Sequence, residues 1–163
     1  NNANSVDKKL GVLRDLTIRL TEKVPTYEEF ETNFLEIIFT NKVTKHKDLA
    51  KYILTCILTH IQKSYLVDSP NMTIEHISPQ SPRTSSALPE KVLGQLGNLL
   101  LVAPELNQKL GNKAFLEKKR ILSSHKYYID EVLKSAKTWG SNEIVNRSKW
   151  LAQLAYRDVW KIK

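Results

Sequence analysis

IEHISPQ (Ile74–Gln80), then LGNLLLV (Leu96–Val102), then ELNQKLGNKAF (Glu105–Phe115) decide how this chain folds. The first carries a short apolar alternation that Pro79 cuts off, so Met72 to Ile77 reads as a strand. The second is apolar and bounded by Gly97 and Pro104, which suits a second strand from Leu99 to Ala103. Pro104 opens a helix that Gly111 and Asn112 interrupt, and Phe115 to Leu122 continues helically. Between the strands, Ser78 to Pro89 reads as a loop and PEKVLGQL as a single helical turn. Pro70, Pro79, Pro82 and Pro89 exclude a longer helix there.

Outward from this unit the chain reads as helix. Val6 to Leu20 places Leu10, Leu13, Ile18 and Leu20 among charges. Thr26 and Glu29 have capping-box spacing ahead of Phe30, Phe34, Ile37 and Ile38. A turn over Thr40 to Thr44 leads to a helix over about His46 to Ser64, with Leu49, Tyr52, Ile53, Cys56, Ile57 and Ile61 as its apolar stripe. Tyr127 to Lys163 reads as two helices split at Trp139-Gly140, the second capped by Ser141. Its buried side is Ile144, Trp150, Leu151, Leu154, Ala155 and Trp160. The expected fold is mainly α, a helical scaffold (5–66) with an inserted two-strand-and-helix motif (about 71–122) and C-terminal helices (123–163).

Composition sets limits. The 163 residues suit a single domain, and 41% hydrophobic content supplies a core. No apolar run is long enough for a membrane span. A lone cysteine, Cys56, excludes an internal disulfide and a cysteine metal cluster, and fits the cytoplasm. The charge of +8, from 25 Lys and Arg against 17 Asp and Glu, favours polyanions. The start NNANSVDKKL, without Met or a signal stretch, reads as a cut boundary in a longer protein.

The residue types in the motif suit phosphodiester hydrolysis. An imidazole, with an ordinary pKa of about 6.5, can take a proton from water. A carboxylate and a carboxamide oxygen suit a hard cation such as Mg²⁺ or Mn²⁺. Neighbours in a strand point to opposite faces, so Glu75 and His76 diverge unless the strand ends or bulges there. Asn98 opens the second strand, where its amide or backbone can pin the imidazole, and Asn107 can offer an amide oxygen from the helix. Structural alternatives stand beside each reading. A lone strand histidine is usually a packing residue, Gly-Asn is an ordinary turn pair, and a lysine run is ordinarily a solvated helix face. Asn112 marks the helix break or supports the site, and Gln80 holds the loop or touches substrate.

The motif set resembles the HNH nucleases of the ββα-metal class. It is most similar to the C-terminal HNH domain of modification-dependent restriction and phage-defence proteins. The matching residues are Glu75, His76, Ile77, Pro79 and Gln80, then Gly97, Asn98 and Leu99, then Asn107, and last Asn112, Phe115 and Lys118 or Lys119. KYIL ahead of the motif and Arg147, Leu151, Ala155 and Trp160 after it fit as well. The resemblance spans roughly 45–163. It implies a DNA endonuclease with His76 as general base, Asn98 orienting it, and Glu75 and Asn107 holding Mg²⁺ or Mn²⁺. It implies Lys113, Lys118, Lys119 and Arg120 on DNA phosphate, Gln80 and Asn112 in support, and an upstream ParB-like nucleotidase domain as partner. Two features depart from the pattern. The loop between His76 and Asn98 is short and Ser-rich, and the third HNH position is Asn, which favours hard ions over Zn²⁺. The rival readings are a DNA-binding module without catalysis and a protein-interaction domain.

Overall fold

The computed structural model describes residues 2–63, 71–81 and 88–161, with side chains from residue 6. Its element order is α1 (Asn2–Thr21), α2 (Tyr27–Leu35), α3 (Lys47–Gln62), β1 (Thr73–His76), α4 (Glu90–Leu93), a 3₁₀ turn (Leu96–Asn98), β2 (Leu99–Val102), α5 (Pro104–Leu110), α6 (Phe115–Ser124), α7 (Glu131–Ser135), α8 (Ser141–Leu154) and a π turn (Ala155–Val159). The architecture is mainly α, as the periodicity implies. The predicted helix end at Ser64 and the middle of the predicted loop (82–87) lie outside the described residues, as do 64–66 of the scaffold and the last two residues.

β1 and β2 form an antiparallel pair with Thr73 opposite Val102, Glu75 opposite Leu100 and His76 opposite Leu99. Both faces of this ribbon are covered, which is why β2 is an unbroken apolar run with all four residues buried. Leu99 and Leu101 join Phe34, Ile53, Leu54, Ile57 and Leu151 in one core, with Ile74 packed against it. Leu100 and Val102 join Ile77, Leu106, Leu110, Leu122, Ile129 and Leu133 in a second. The ribbon is therefore the wall between two hydrophobic cores, and alternate side chains of β1 enter different ones.

Local signals explain most boundaries. Thr26 and Glu29 form the reciprocal capping box at the start of α2. Gly111, at φ +43, ends α5. Three readings are corrected. Helix α2 stops at Leu35, so Ile37 and Ile38 belong to an extended segment, with Ile38 bridging Gln95. The buried stripe of α3 is Ala50, Ile53, Leu54, Ile57 and Leu58, whereas Leu49 and Tyr52 face solvent. Gly140, not Ser141, caps α8, and Glu143 accepts from its backbone N–H at 2.8 Å. In addition, the apolar residues of α1, including Leu10, Leu13, Ile18 and Leu20, are exposed.

Candidate active site

His76 is the last residue of β1 and points into the first core. Its ring is 5% exposed and stacks obliquely on Phe39, with centroids 5.8 Å apart. Nε2 lies 2.8 Å from the carbonyl oxygen of Phe39. A carbonyl only accepts, so Nε2 carries the proton and Nδ1 presents the lone pair. The Phe39 carbonyl is delivered by an extended segment docked on α4. The Phe39 N–H donates to Gly94 O at 2.8 Å, and the hydroxyl of Thr40 bonds the carboxylate of Glu90. Gln80 completes the cradle. Its amide Nε2 is 3.2 Å from His76 Nδ1, and its Oε1 accepts from Asn41 N at 2.7 Å. Burial holds the imidazole below its ordinary pKa, with the Phe39 carbonyl opposing and the nearby Lys118 charge reinforcing the shift. The ring is thus neutral at neutral pH.

Glu75 points the other way, into the second core. Its carboxylate meets the ammonium of Lys118, Nζ to Oε1 at 2.5 Å, and the same ammonium donates to the carbonyl of His76 at 2.6 Å. Burial pushes the Glu75 carboxyl up and the Lys118 ammonium down, and their mutual attraction opposes both shifts. This corrects the placement of Lys118. It is 2% exposed and serves an internal ion pair, so it does not lie on a DNA-facing surface. The α6 pattern holds the reason: Phe115, Lys118 and Leu122 share one helical stripe, and the whole stripe is turned inward.

Asn98 is fully buried, and its carboxamide is spent on backbone and indole rather than on imidazole. Oδ1 accepts from Ser78 N at 2.8 Å and Trp139 Nε1 at 3.1 Å, while Nδ2 donates to Leu93 O at 2.9 Å and Ser78 O at 3.1 Å. Its backbone carbonyl accepts from Ile77 N at 2.8 Å. Asn98 therefore fixes the chain just beyond His76 and acts on the ring only through it. The neighbouring glycine is obligatory for another reason. A Cβ on Gly97 would stand 2.1 Å from Ile144 O and 2.4 Å from Ser148 Oγ, so the turn rests directly on α8. Arg147 secures the same turn from α8, donating to Gly97 O at 2.8 Å and Leu99 O at 3.0 Å while its Nε meets Asp130 at 2.8 Å.

Asn107 lies on α5 against β1, its Nδ2 donating to Thr73 Oγ1 at 2.8 Å and Ile74 O at 3.3 Å. Thr73 and Glu75 share a face of β1 by strand alternation, so Asn107 is on the Glu75 side. Among the described residues, no three His, Cys, Asp or Glu side chains stand together as a metal cluster. A carboxylate and a carboxamide are the oxygen donors a hard ion takes, and in chemistry the pair suits Mg²⁺ or Mn²⁺. In this arrangement, however, the charge of Glu75 is already matched by Lys118. The structure brings Glu75 and Asn107 to one side of β1 and His76 to the other. Of the remaining basic candidates, Lys113 pairs with Glu117 at 2.9 Å, Lys119 donates to the carbonyl ends of α7 at Lys134 and Ala136, and Arg120 is exposed. Asn112 is exposed at the turn after α5. The residues that sequence reading missed are Phe39, whose contribution is a backbone carbonyl with no sequence signature, and Lys118 in its internal role.

Comparison with known families gives a match over most of the chain. The model of the family described as GmrSD restriction endonucleases, C-terminal domain, covers residues 24–154. No curated protein and no solved structure matches the chain.

Proposed function

Because the chain belongs to the family of C-terminal domains of GmrSD restriction endonucleases, we propose that it is an HNH-type DNA endonuclease with His76 as general base. Family membership makes it a restriction-type nuclease domain, with DNA as substrate and a general dependence on divalent metal. The observation that carries the base assignment is the state of the imidazole. With Nε2–H committed to Phe39 O, the lone pair of Nδ1 is the basic one. Burial keeps that nitrogen unprotonated near neutrality, when water must be deprotonated. Gln80 is the side chain in contact with Nδ1, so an attacking water takes the place of its amide or is held beside it.

A divalent ion, Mg²⁺ or Mn²⁺, held by Glu75 and Asn107 would supply positive charge for the scissile phosphate and the departing oxygen. Asn98 positions the His76–Ser78 backbone, and Asn112 supports the turn after α5. Arg120, Lys113 and Lys119 meet the phosphate backbone, which they bind without reading sequence. The resemblance extends the proposal to a cytoplasmic restriction or phage-defence role and to an upstream nucleotidase domain as partner.

The opposite facing of Glu75 and His76 favours one rival, a DNA-binding module without catalysis. Plasmid nicking in Mg²⁺ or Mn²⁺, with EDTA as the blank, separates the two. The nuclease reading expects metal-dependent nicking that His76→Ala reduces by about 10²-fold or more. Undiminished nicking by His76→Ala overturns the base assignment. Salt-sensitive DNA binding with no cleavage in any metal establishes the rival.

A further inference from the structure

Among the described residues, helix α1 holds most of the large apolar side chains that the fold leaves exposed. Val6, Leu10, Leu13, Leu16 and Leu20 are between 45% and 57% exposed. Neither hydrophobic core takes a side chain from α1, and a monomer rarely leaves so long a stripe in water. Val6, Leu10, Leu13, Thr17 and Leu20 follow one another by alternating steps of four and three. That is the 3.5-residue period by which one helix seats against another. Thr17 already donates its hydroxyl to Leu13 O at 2.9 Å, so covering it orphans no donor.

The charges beside this seam select what covers it. Asp7 and Arg14 flank it on one side, Lys9 and Leu16 on the other. Neither Asp7 nor Arg14 has an opposite charge three or four residues away on α1. Among the described residues neither takes part in an ion pair. A two-fold axis at the helix midpoint, between Gly11 and Val12, brings a second α1 against the first in antiparallel register. Leu10 then faces the second copy's Leu13, and Val6 faces its Thr17. Asp7 comes within reach of the second copy's Arg14, and Arg14 of its Asp7, while the stem of Lys9 lies over Leu16. A parallel pair is disfavoured, because it sets Lys9 beside the other copy's Arg14 on both flanks. Covering the five apolar residues and their flanking stems on both copies buries about 1,000 Å², the least that a specific interface needs.

We infer that α1 is a dimerisation element whose occupant is α1 of a second copy of this chain, packed antiparallel. The pairing goes beyond the nuclease reading and involves no residue of β1, so either can fail without the other.

Sedimentation equilibrium of the full chain from about 1 to about 200 µM is the test. The expected result is a reversible dimer with Kd on the order of 10 µM, as suits an interface of minimal size. Leu13→Glu places a charge in both central layers and should leave a monomer throughout that range. Its unfolding midpoint, read in the monomer, should match that of the parent at low concentration, since α1 lies outside both cores. Asp7→Arg turns two attractions into repulsions and should weaken the dimer about tenfold. The swap Asp7→Arg/Arg14→Asp should restore it. A parent chain that is monomeric at every concentration overturns the inference, and so does a dimer that survives Leu13→Glu. A swap that fails to restore the dimer overturns the antiparallel pairing. A monomer that co-sediments with phosphatidylserine vesicles through α1, and loses this with Leu13→Glu, assigns the face to a lipid surface and overturns the inference as well.

Discussion

The two faces of β1 solve the same problem, burying a titratable side chain, in different ways. On one face His76 is kept neutral and is satisfied by a backbone carbonyl and an amide. On the other Glu75 is paired with a lysine inside an apolar core. A neutral ring with both nitrogens hydrogen-bonded costs little to bury, whereas an ion pair is costly to desolvate and severe to break. The difference separates a neutral side chain held by hydrogen bonds from a charged one held by its counterion. It also shows how a strand of four residues can serve two cores at once.

The largest expected effect breaks the charged face. Glu75→Gln or Lys118→Met alone leaves one buried charge unpaired and should cost about 3–5 kcal/mol, while the double variant recovers most of the loss. Urea unfolding of the four proteins completes the cycle, and additive losses would show that the pair does not act as a unit. Next comes the turn behind both faces. Gly97→Ala sets a Cβ against Ile144 O and Ser148 and should cost about 3 kcal/mol or more, measured in the same way. A near-native midpoint would mean that the turn can lift away from α8.

Asn98→Ala strips partners from Ser78, Leu93 and Trp139 and should cost about 1–3 kcal/mol. Its sharper reading is kinetic: nicking should fall further than stability explains, because the backbone after His76 loses its anchor. The neutral face is probed by pH. The native pKa of His76 lies below its unfolded value, so its contribution to stability is present above about pH 6.5 and is lost as pH falls through the native value. The native chain should therefore lose more thermal stability on acidification than His76→Gln does, and parallel losses would contradict the burial argument. The smallest effect belongs to the surface. Lys113→Ala breaks an exposed i,i+4 pair and should change stability by less than about 0.5 kcal/mol, yet weaken DNA binding in low salt if Lys113 meets phosphate.

Outside the ribbon, the two ends of the chain differ as well. Helix α8 is built into the first core through Leu151, Ala152 and the turn contacts of Arg147 and Ser148. Helix α1 precedes the span that the family model matches and leaves its apolar residues exposed. Helical periodicity alone makes the two look alike, because an amphipathic pattern states that a face wants cover and not what covers it.

The sequence by itself determined the element order, the α2 capping box, the strand–turn–strand–helix around IEHISPQ and LGNLLLV, and the residue types for the site. These are local properties, set by periodicity, proline and glycine, and legible wherever neighbours in the chain decide the backbone. It also held readable traces of two buried cations, since Lys118 falls on the Phe115–Leu122 stripe and Arg147 on the Ile144–Leu151 stripe. Only the tertiary structure decided that Glu75 and His76 enter different cores, that Phe39 supplies the acceptor fixing the imidazole, and that Asn98 holds backbone instead of the ring. Those outcomes depend on contacts between residues 37 and 20 positions apart in sequence. A carbonyl brought from that distance has no side-chain signature, so packing alone reveals it.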